Sequence, residues 1–481
     1  MSEATSSNEY REQRLANLAA LQELGYPPYG GAFKRSGSLA ELREDFAEER
    51  PVTAAGRLTT VRDMGKSIFA DLRDGSDRFQ IYVQKKAVGD EAFQAFKLLD
   101  LGDQIGVEGA QFTTRTGEAT IKVATWTLLS KALLPPPEKW HGLKDVELRY
   151  RQRYLDLVGN PEVRELFNKR SAMILEIRSY LAARDFIEVE TPMLQSQAGG
   201  AAAKPFVTHY GALGSDVYLR IAPELYLKRL LVGGFDKVFE LNRNFRNEGL
   251  DRTHNPEFTM LEIYEAFSDV NGMRELIQGM ITHVAESVFG GLKVGEGDTA
   301  LDLTPPWREA TYHELVREKM GDDWFDLSLA DACAKAEGIG LDLDPAWDKL
   351  MVTHEVYEKT IEPALMQPTF VTRLPASLVP LARACPDDPS LVDVFELVIR
   401  GQEVAPAYTE MNDPIEQRRR FMEQAGDDAA KIDQDFVTAL EHGMPPAGGM
   451  GVGIDRLMMI LSGAEAIRDV ILFPQLKRIA D

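Results

Sequence analysis

With 481 residues, 44% of them hydrophobic and 27% charged, the chain has room for two to four domains at ~100–200 residues each and is too apolar to be disordered. It has no apolar run of about 18 residues, no basic-then-apolar leader in MSEATSSNEY, and only Cys333 and Cys385 as cysteines, so a reduced, cytoplasmic protein without a membrane span is expected. Its 76 acidic and 54 basic residues give a formal charge of −22, which argues against coating nucleic acid by bulk charge but leaves room for a local basic face.

Residues 1–8 are polar, and Leu15, Leu18, Leu21 and Leu24 recur at helical spacing, which predicts a helix over 9–25. A loop over 26–37 and a short helix over 38–48 complete an N-terminal segment, 1–48. From residue 51 the texture changes to short alternating segments such as SIFADLRDG and RFQIYVQK, split by Gly, Asp and Ser turns. Five such strands, interrupted by a helical piece at 90–100, predict a small β-barrel of the OB kind over 49–134. Pro135, Pro136 and Pro137 close it, and residues 135–160 read as a linker.

A long helix is expected after residue 161, followed by a strand in IEVETPML, strands at 237–247 and 257–266, a hairpin at 393–410, and a glycine-rich strand and helix over 448–462. A helical stretch at about 270–365 lies between. This pattern predicts an α+β domain over 161–481 with a mixed, largely antiparallel sheet flanked by helices, and not alternating βαβ units.

GKS at 65–67 has Thr60 where a P-loop needs glycine, and GGMGVG at 448–453 is out of register for a dinucleotide fingerprint. The glycines are better read as sites of close backbone approach. On the strand after FRNEG, period two places Phe258, Met260, Glu262 and Tyr264 on one face, a poor design for a core. Arg246 offers a planar fork for phosphate or carboxylate, and Phe258 a ring for a purine. With Arg400 and Gly401 as a two-residue turn, Glu396 and Glu403 share a face, where two carboxylates repel unless a cation such as Mg²⁺ joins them. Pro406 is expected to mark a bulge.

IEVETPML, FRNEG…HNPEF and GVGIDRL together resemble motifs 1, 2 and 3 of the class II aminoacyl-tRNA synthetases; the class I signatures HIGH and KMSKS are absent. RYRQRYLDL, IAPELYLKRLLVGGFDKVFELNRNFRNEG, THNPEFTMLEIYEAF and YTEMNDP narrow the resemblance to class II lysyl-tRNA synthetases of bacterial type, from about residue 9 to 479. The resemblance implies a homodimer with an anticodon-binding OB domain and a catalytic domain. That domain would activate L-lysine with ATP and Mg²⁺, then pass it to the 3′ end of tRNA(Lys).

Carried over by position, Arg246 and Arg456 are the catalytic candidates. Gly200, Glu224, Arg246, Glu262, Tyr264, Tyr408 and Glu410 would bind lysine, Glu262, Tyr264 and Glu410 taking its ε-ammonium. Arg246, Glu248, His254, Phe258, Glu396 and Arg456 would bind ATP, with Phe258 and Arg456 on either side of adenine. Glu396 and Glu403 would hold the metal, and Arg62, Phe69, Gln80 and Glu118 the anticodon. The surplus of carboxylates suits a substrate with an extra ammonium. One departure stands out: many members have Asn-Gly or Asn-Ala where this chain has Pro406-Ala407. A paralogue that lysylates elongation factor P would lack the barrel. A decayed, non-catalytic relative would lose Arg246, Glu396, Glu403 and Arg456.

Overall fold

The computed structural model describes residues 2–136, 143–197, 199–201, 203–297, 300–379, 381–425 and 433–477. The chain divides into two compact units, Met1–Asp145 with Tyr154–Asn160, and Val146–Arg153 with Pro161–Asp481.

The first unit is a closed barrel. Strands β1 (Pro51–Asp63), β2 (Ser67–Arg73), β3 (Arg78–Gln84), β4 (Gln104–Thr113) and β5 (Ala119–Ser130) run in the order β1-β2-β3-β5-β4, and β4 returns to pair with β1. Period two sorts its side chains: Ile68, Ala70 and Leu72 of β2 and Phe79, Ile81 and Val83 of β3 are buried inside. Helix α1 (Ser2–Glu23) adds Leu21 to this core, and α2 (Asp90–Phe96) adds Phe93 and Phe96.

The second unit is built on an eight-stranded sheet. Its strands are β6 (Ile187–Glu188), β7 (Lys237–Phe245), β8 (Glu257–Ala266), β9 (Arg308–Thr311), β10 (Thr369–Thr372), β11 (Val394–Ile399), β12 (Gln402–Thr409) and β13 (Ala447–Gly453). Their order is β9-β10-β11-β12-β13-β8-β7-β6, antiparallel except where β9 joins β10 and β6 joins β7. Helices α3 (Pro161–Ala182) and α5 (Val270–Phe289) share one core with this sheet. Ile177, Leu181, Met280 and Ile281 pack there with Leu261, Ile263, Met450 and Val452, all fully buried or nearly so. Each such side chain contributes ~1.5–3 kcal/mol by leaving water. Asp269 caps α5 by accepting from the backbone N–H groups of Asn271 and Gly272. The opposite face of the sheet carries the polar residues and is flanked by α4 (Glu224–Val232), whereas α6 (Ile454–Ser462) packs into the apolar core with α3 and α5.

Three expectations change. Of IEVETPML only Ile187 and Glu188 pair in the sheet; Pro192, with no N–H, cannot extend the ladder. The 270–365 stretch is not wholly helical, because Arg308–Thr311 forms edge strand β9, four residues being too short for a period to show. The expected linker holds helices at Val146–Arg151 and Arg153–Gly159, with 137–142 outside the described residues. Within it Arg153 is buried and donates to the backbone carbonyls of Leu472, Arg468 and Ile471.

Candidate active site

β13 lies between β8 and β12, and the three strands shape a trench on the polar face of the sheet. On β8, Phe258, Met260, Glu262 and Tyr264 stand opposite to the core residues Leu261 and Ile263. Across from Met260, Glu262 and Tyr264, β13 presents Gly453, Gly451 and Gly449. A Cβ on Gly449 would lie 1.8 Å from Glu410 Oε1 and 2.5 Å from Tyr264 Cε1, and one on Gly451 2.6 Å from Met260 Cε. The glycines are therefore the floor. Tyr408 faces Gly449 from β12, with Pro406 before it and Glu410 just after, on the far wall.

One end of the trench is acidic. The Tyr264 hydroxyl donates to Glu262 Oε2 at 3.0 Å. Burial, reinforced by the charge of Glu224, pushes the Glu262 carboxyl up to about 8. Glu224 opens α4, and Gly200, at φ +86°, packs against it: a Cβ there would stand 3.2 Å from the Cβ atoms of Ala222 and Glu224. Lys228, one helical turn after Glu224, is a residue that sequence reasoning missed. Its buried Nζ donates to Glu224 Oε1 at 2.6 Å and pairs with Glu410 Oε2. The cation expected beside Glu410 is thus present within the chain itself. Burial opposes the Lys228 charge, but Glu224 and Glu410 outweigh it and raise its pKa. Burial pushes Glu410 up to about 7 against the pull of Lys228. Tyr408 is also raised, by burial and by the surrounding glutamates.

The other end opens into a cleft of about 290 Å³ whose lining includes Arg246, Glu248, His254, Phe258, Glu403 and Arg456. The Arg246 guanidinium carbon lies 5.1 Å from the centre of the Phe258 ring, and its buried Nε has no hydrogen-bond partner among the described residues. Arg456 donates to the Glu403 carbonyl at 2.8 Å and lies 3.2 Å from His254 Nε2, whose ring nitrogen Nδ1 is 2.8 Å from Asp251 Oδ2. Asp455 ties the elements together: it accepts from the Thr259 N–H at 2.7 Å and pairs with Arg170 of α3 at 2.7 Å.

Glu396 stands apart from that lining. The β11–β12 turn is Arg400-Gly401, both at positive φ, 53° and 66°, the geometry that matches strand twist in a two-residue hairpin. Glu403 pairs with Val398 and Pro406 with Glu396, so Glu396 and Glu403 share a face. The bulge residue is Val404, not Pro406; Pro406 is tolerated because β12 pairs with β13 only from Ala407 onward. Burial and the charges of Glu403 and Glu362 hold Glu396 well above the usual carboxylate range. The buried Tyr357 hydroxyl donates to Glu396 Oε2 at 3.3 Å, and the Glu403 N–H to Glu362 Oε1 at 3.2 Å. Among the described residues no three His, Cys, Asp or Glu side chains gather to hold a metal alone. Two repelling carboxylates beside this cleft would fit a hard divalent cation such as Mg²⁺, which takes oxygen ligands.

In the barrel unit, Arg62, Phe69, Tyr82 and Lys122 stand in cross-strand register on the outer face, with Gln80 two residues from Tyr82. Phe69 and Tyr82 rings are 4.7 Å apart, and Tyr82 and Phe112 rings 5.9 Å. Gln80 accepts from the Thr120 hydroxyl at 3.0 Å, and Glu118 is paired with Arg78 at 3.4 Å. Tyr82 and Phe112 were missed, although Tyr82 follows Gln80 at the strand period. Partly exposed rings beside basic and amide groups are the chemistry that stacking of unpaired bases would require.

The family model of class II tRNA synthetases (D, K and N) matches residues 145–477, and that of the OB-fold nucleic acid binding domain residues 52–129. A lysine–tRNA ligase of Pelotomaculum thermopropionicum is 50% identical over 98% of this chain and 95% of its own length. One from Moorella thermoacetica is 49% identical, and one from Enterococcus faecalis 47%, each over 98% of both chains. With the OB barrel, the antiparallel sheet and the trench in place, this extent of identity is decisive: the chain belongs to the lysine–tRNA ligase family of class II aminoacyl-tRNA synthetases.

Proposed function

We propose that the trench joins L-lysine to ATP, giving lysyl-adenylate and pyrophosphate, and then transfers the lysyl group to the 3′ end of tRNA(Lys). The observation that carries this reading is the junction of two unlike sites on one glycine floor: a buried acidic pocket for a cationic substrate, and a cleft where Arg246, Phe258 and Arg456 suit a nucleotide. In the first step a lysine carboxylate oxygen attacks the α-phosphorus, and the bond to the bridging oxygen of pyrophosphate breaks. Arg246 neutralises charge that builds on the α-phosphate and the attacking carboxylate, while Phe258 and Arg456 hold adenine from opposite faces. His254 reaches the outer phosphates, and Glu248 lies along the same cleft. Glu396 and Glu403 would hold Mg²⁺, which would supply charge neutralisation for the triphosphate and the leaving pyrophosphate. In the second step a terminal ribose hydroxyl of the tRNA attacks the acyl carbonyl and AMP leaves. Positioning and electrostatic stabilisation supply the rate, with no covalent enzyme intermediate.

The same reading makes the protein a cytoplasmic homodimer that reads the anticodon through Phe69, Gln80 and Arg62, with Glu118 at the margin. Its support is the family, the aromatic face of the barrel, and exposed apolar residues such as Val207 and Leu213 in the catalytic unit. Among the described residues no helix is long and apolar enough to cross a membrane. Amino-acid-dependent ATP–pyrophosphate exchange across the twenty amino acids tests the activation step. Exchange with lysine alone is expected. Exchange driven by another amino acid overturns the substrate, and none with any of them overturns the activity.

A further inference from the structure

The acidic pocket contains a cation of its own. Lys228 lies on α4, one turn after Glu224, and its side chain is wholly out of water. Its Nζ is 2.6 Å from Glu224 Oε1 and is paired with Glu410 Oε2. A lysine on a helix normally keeps its ammonium in solvent. One buried between two carboxylates is held for its charge, because removing it would leave two uncompensated buried anions.

The charged groups around the pocket are few. Glu224 and Lys228 come from α4, Glu262 from β8, Glu410 from the end of β12 and Arg246 from the end of β7. Tyr264 and Tyr408 face them as phenols. Arg220 is also buried nearby, but it is committed to Glu240 at 2.6 Å. Lys228 therefore cancels one of three acids and leaves two, with Arg246 beside them. Free lysine has two ammonium groups and one carboxylate. The count matches with Lys228 present and fails by one without it.

We propose that Lys228 is a specificity-determining residue, a resident ammonium that fixes at two the number of acidic charges open to the amino-acid substrate. This rests on the reading of the pocket as the lysine site. The roles divide accordingly. Glu262, whose one hydrogen bond among the described residues comes from the Tyr264 hydroxyl, takes one substrate ammonium. Glu224 takes the other through Oε2, which faces Gly200, while its Oε1 holds Lys228. Glu410 holds Lys228 through Oε2, with its Oε1 over the Gly449 floor.

The test uses the full-length enzyme and the variants Lys228→Met, Glu410→Gln and the double variant, with lysine-dependent exchange and thermal melts for each. Lys228→Met is expected to raise the lysine KM by about 100-fold, leaving the ATP KM within about threefold. Adding Glu410→Gln restores the count of two, so the double variant should recover about tenfold or more of that loss. An unchanged lysine KM in Lys228→Met, or a double variant no better than the single one, overturns the proposal. Should Lys228→Met fail to fold, Glu410→Gln carries the test alone. There Lys228 neutralises Glu224 and one acid remains, so 6-aminohexanoate, with one ammonium and one carboxylate, should gain about tenfold on lysine as a competing ligand. A constant ratio refutes the idea. Wild-type exchange with lysine is the separate check on the site itself: its absence sinks the lysine reading before Lys228 is in question.

Discussion

Glu262 is the group whose protonation should report substrate binding. Burial and the charge of Glu224 push its carboxyl up to about 8, from an ordinary value of 4.5. At pH 7 such a group is ~90% protonated, so pairing it with a substrate ammonium expels ~0.9 proton into solvent. Below about pH 8, lysine affinity should therefore rise close to tenfold per pH unit. The sign for the unliganded protein is opposite. A carboxyl whose folded value exceeds its unfolded value contributes most at low pH, and that contribution is lost as pH rises from about 4.5 to about 8. Lysine should then stabilise the protein more at pH 8 than at pH 6. The perturbation is Glu262→Gln, which keeps shape and an acceptor for Tyr264 but removes the charge. Losing one ammonium partner in a closed site costs ~2–4 kcal/mol, a rise of ~30- to 1,000-fold in the lysine KM. Calorimetric titration with lysine at pH 7, in two buffers of different ionisation enthalpy, measures the protons released. Glu410, pushed up to about 7, adds a share of its own, so the difference between wild type and variant is the quantity to read. Equal proton release in the two, or an unchanged lysine KM in the variant, refutes the reasoning.

Phe69→Ala removes a stacking ring from the barrel face. Charging of tRNA should fall by about tenfold or more, since one base stack contributes ~1–3 kcal/mol, while pyrophosphate exchange stays unchanged; a matched fall in both rates would displace Phe69 from the tRNA surface. Tyr82→Ala should give the same split, because the two rings are 4.7 Å apart. Gly449→Ala places a Cβ where Glu410 Oε1 already lies, 1.8 Å away, so lysine-dependent exchange should drop by about 100-fold with ATP binding retained; normal exchange would show that the floor yields. Glu403→Gln should raise the Mg²⁺ concentration needed for half-maximal exchange several-fold, read by titrating Mg²⁺ at fixed ATP, and an unmoved midpoint removes Glu403 from the metal.

The barrel and the sheet could be read from period two because their strands are half-buried: Ile68 and Ile81 inside, Phe69 and Tyr82 outside. The trench wall was legible for the same reason, since Glu262 and Tyr264 alternate with Leu261 and Ile263. Spacing worked across the hairpin as well, because Arg400-Gly401 has the chemistry of a two-residue turn. What stayed hidden needed tertiary information. Lys228 looks like any charged residue on a helix until α4 is packed against Glu410. Tyr357 and Glu362 support Glu396 and Glu403 from more than thirty residues away. The bulge fell at Val404 because strand pairing, rather than the missing N–H of Pro406, decides where the extra residue sits. The carbonyls that Arg153 satisfies come from residues near 470, far along the chain.

The floor of the trench has a consequence for how this site can change. Walls vary by degrees: a carboxylate can be shortened, an aromatic exchanged, a charge removed. The floor cannot, because Gly449 and Gly451 already sit within contact distance of what lies above them, and any larger residue only fills the space. Glycine in a strand interior is also weak on its own, by ~0.5–1 kcal/mol relative to alanine at each position, so β13 depends on β8 and β12 to keep its shape. Depth is thus a fixed boundary, set by hydrogen atoms. A pocket retuned for a shorter or longer diamine would have to be remodelled from its sides, through α4 and the end of β12, with the bottom left untouched.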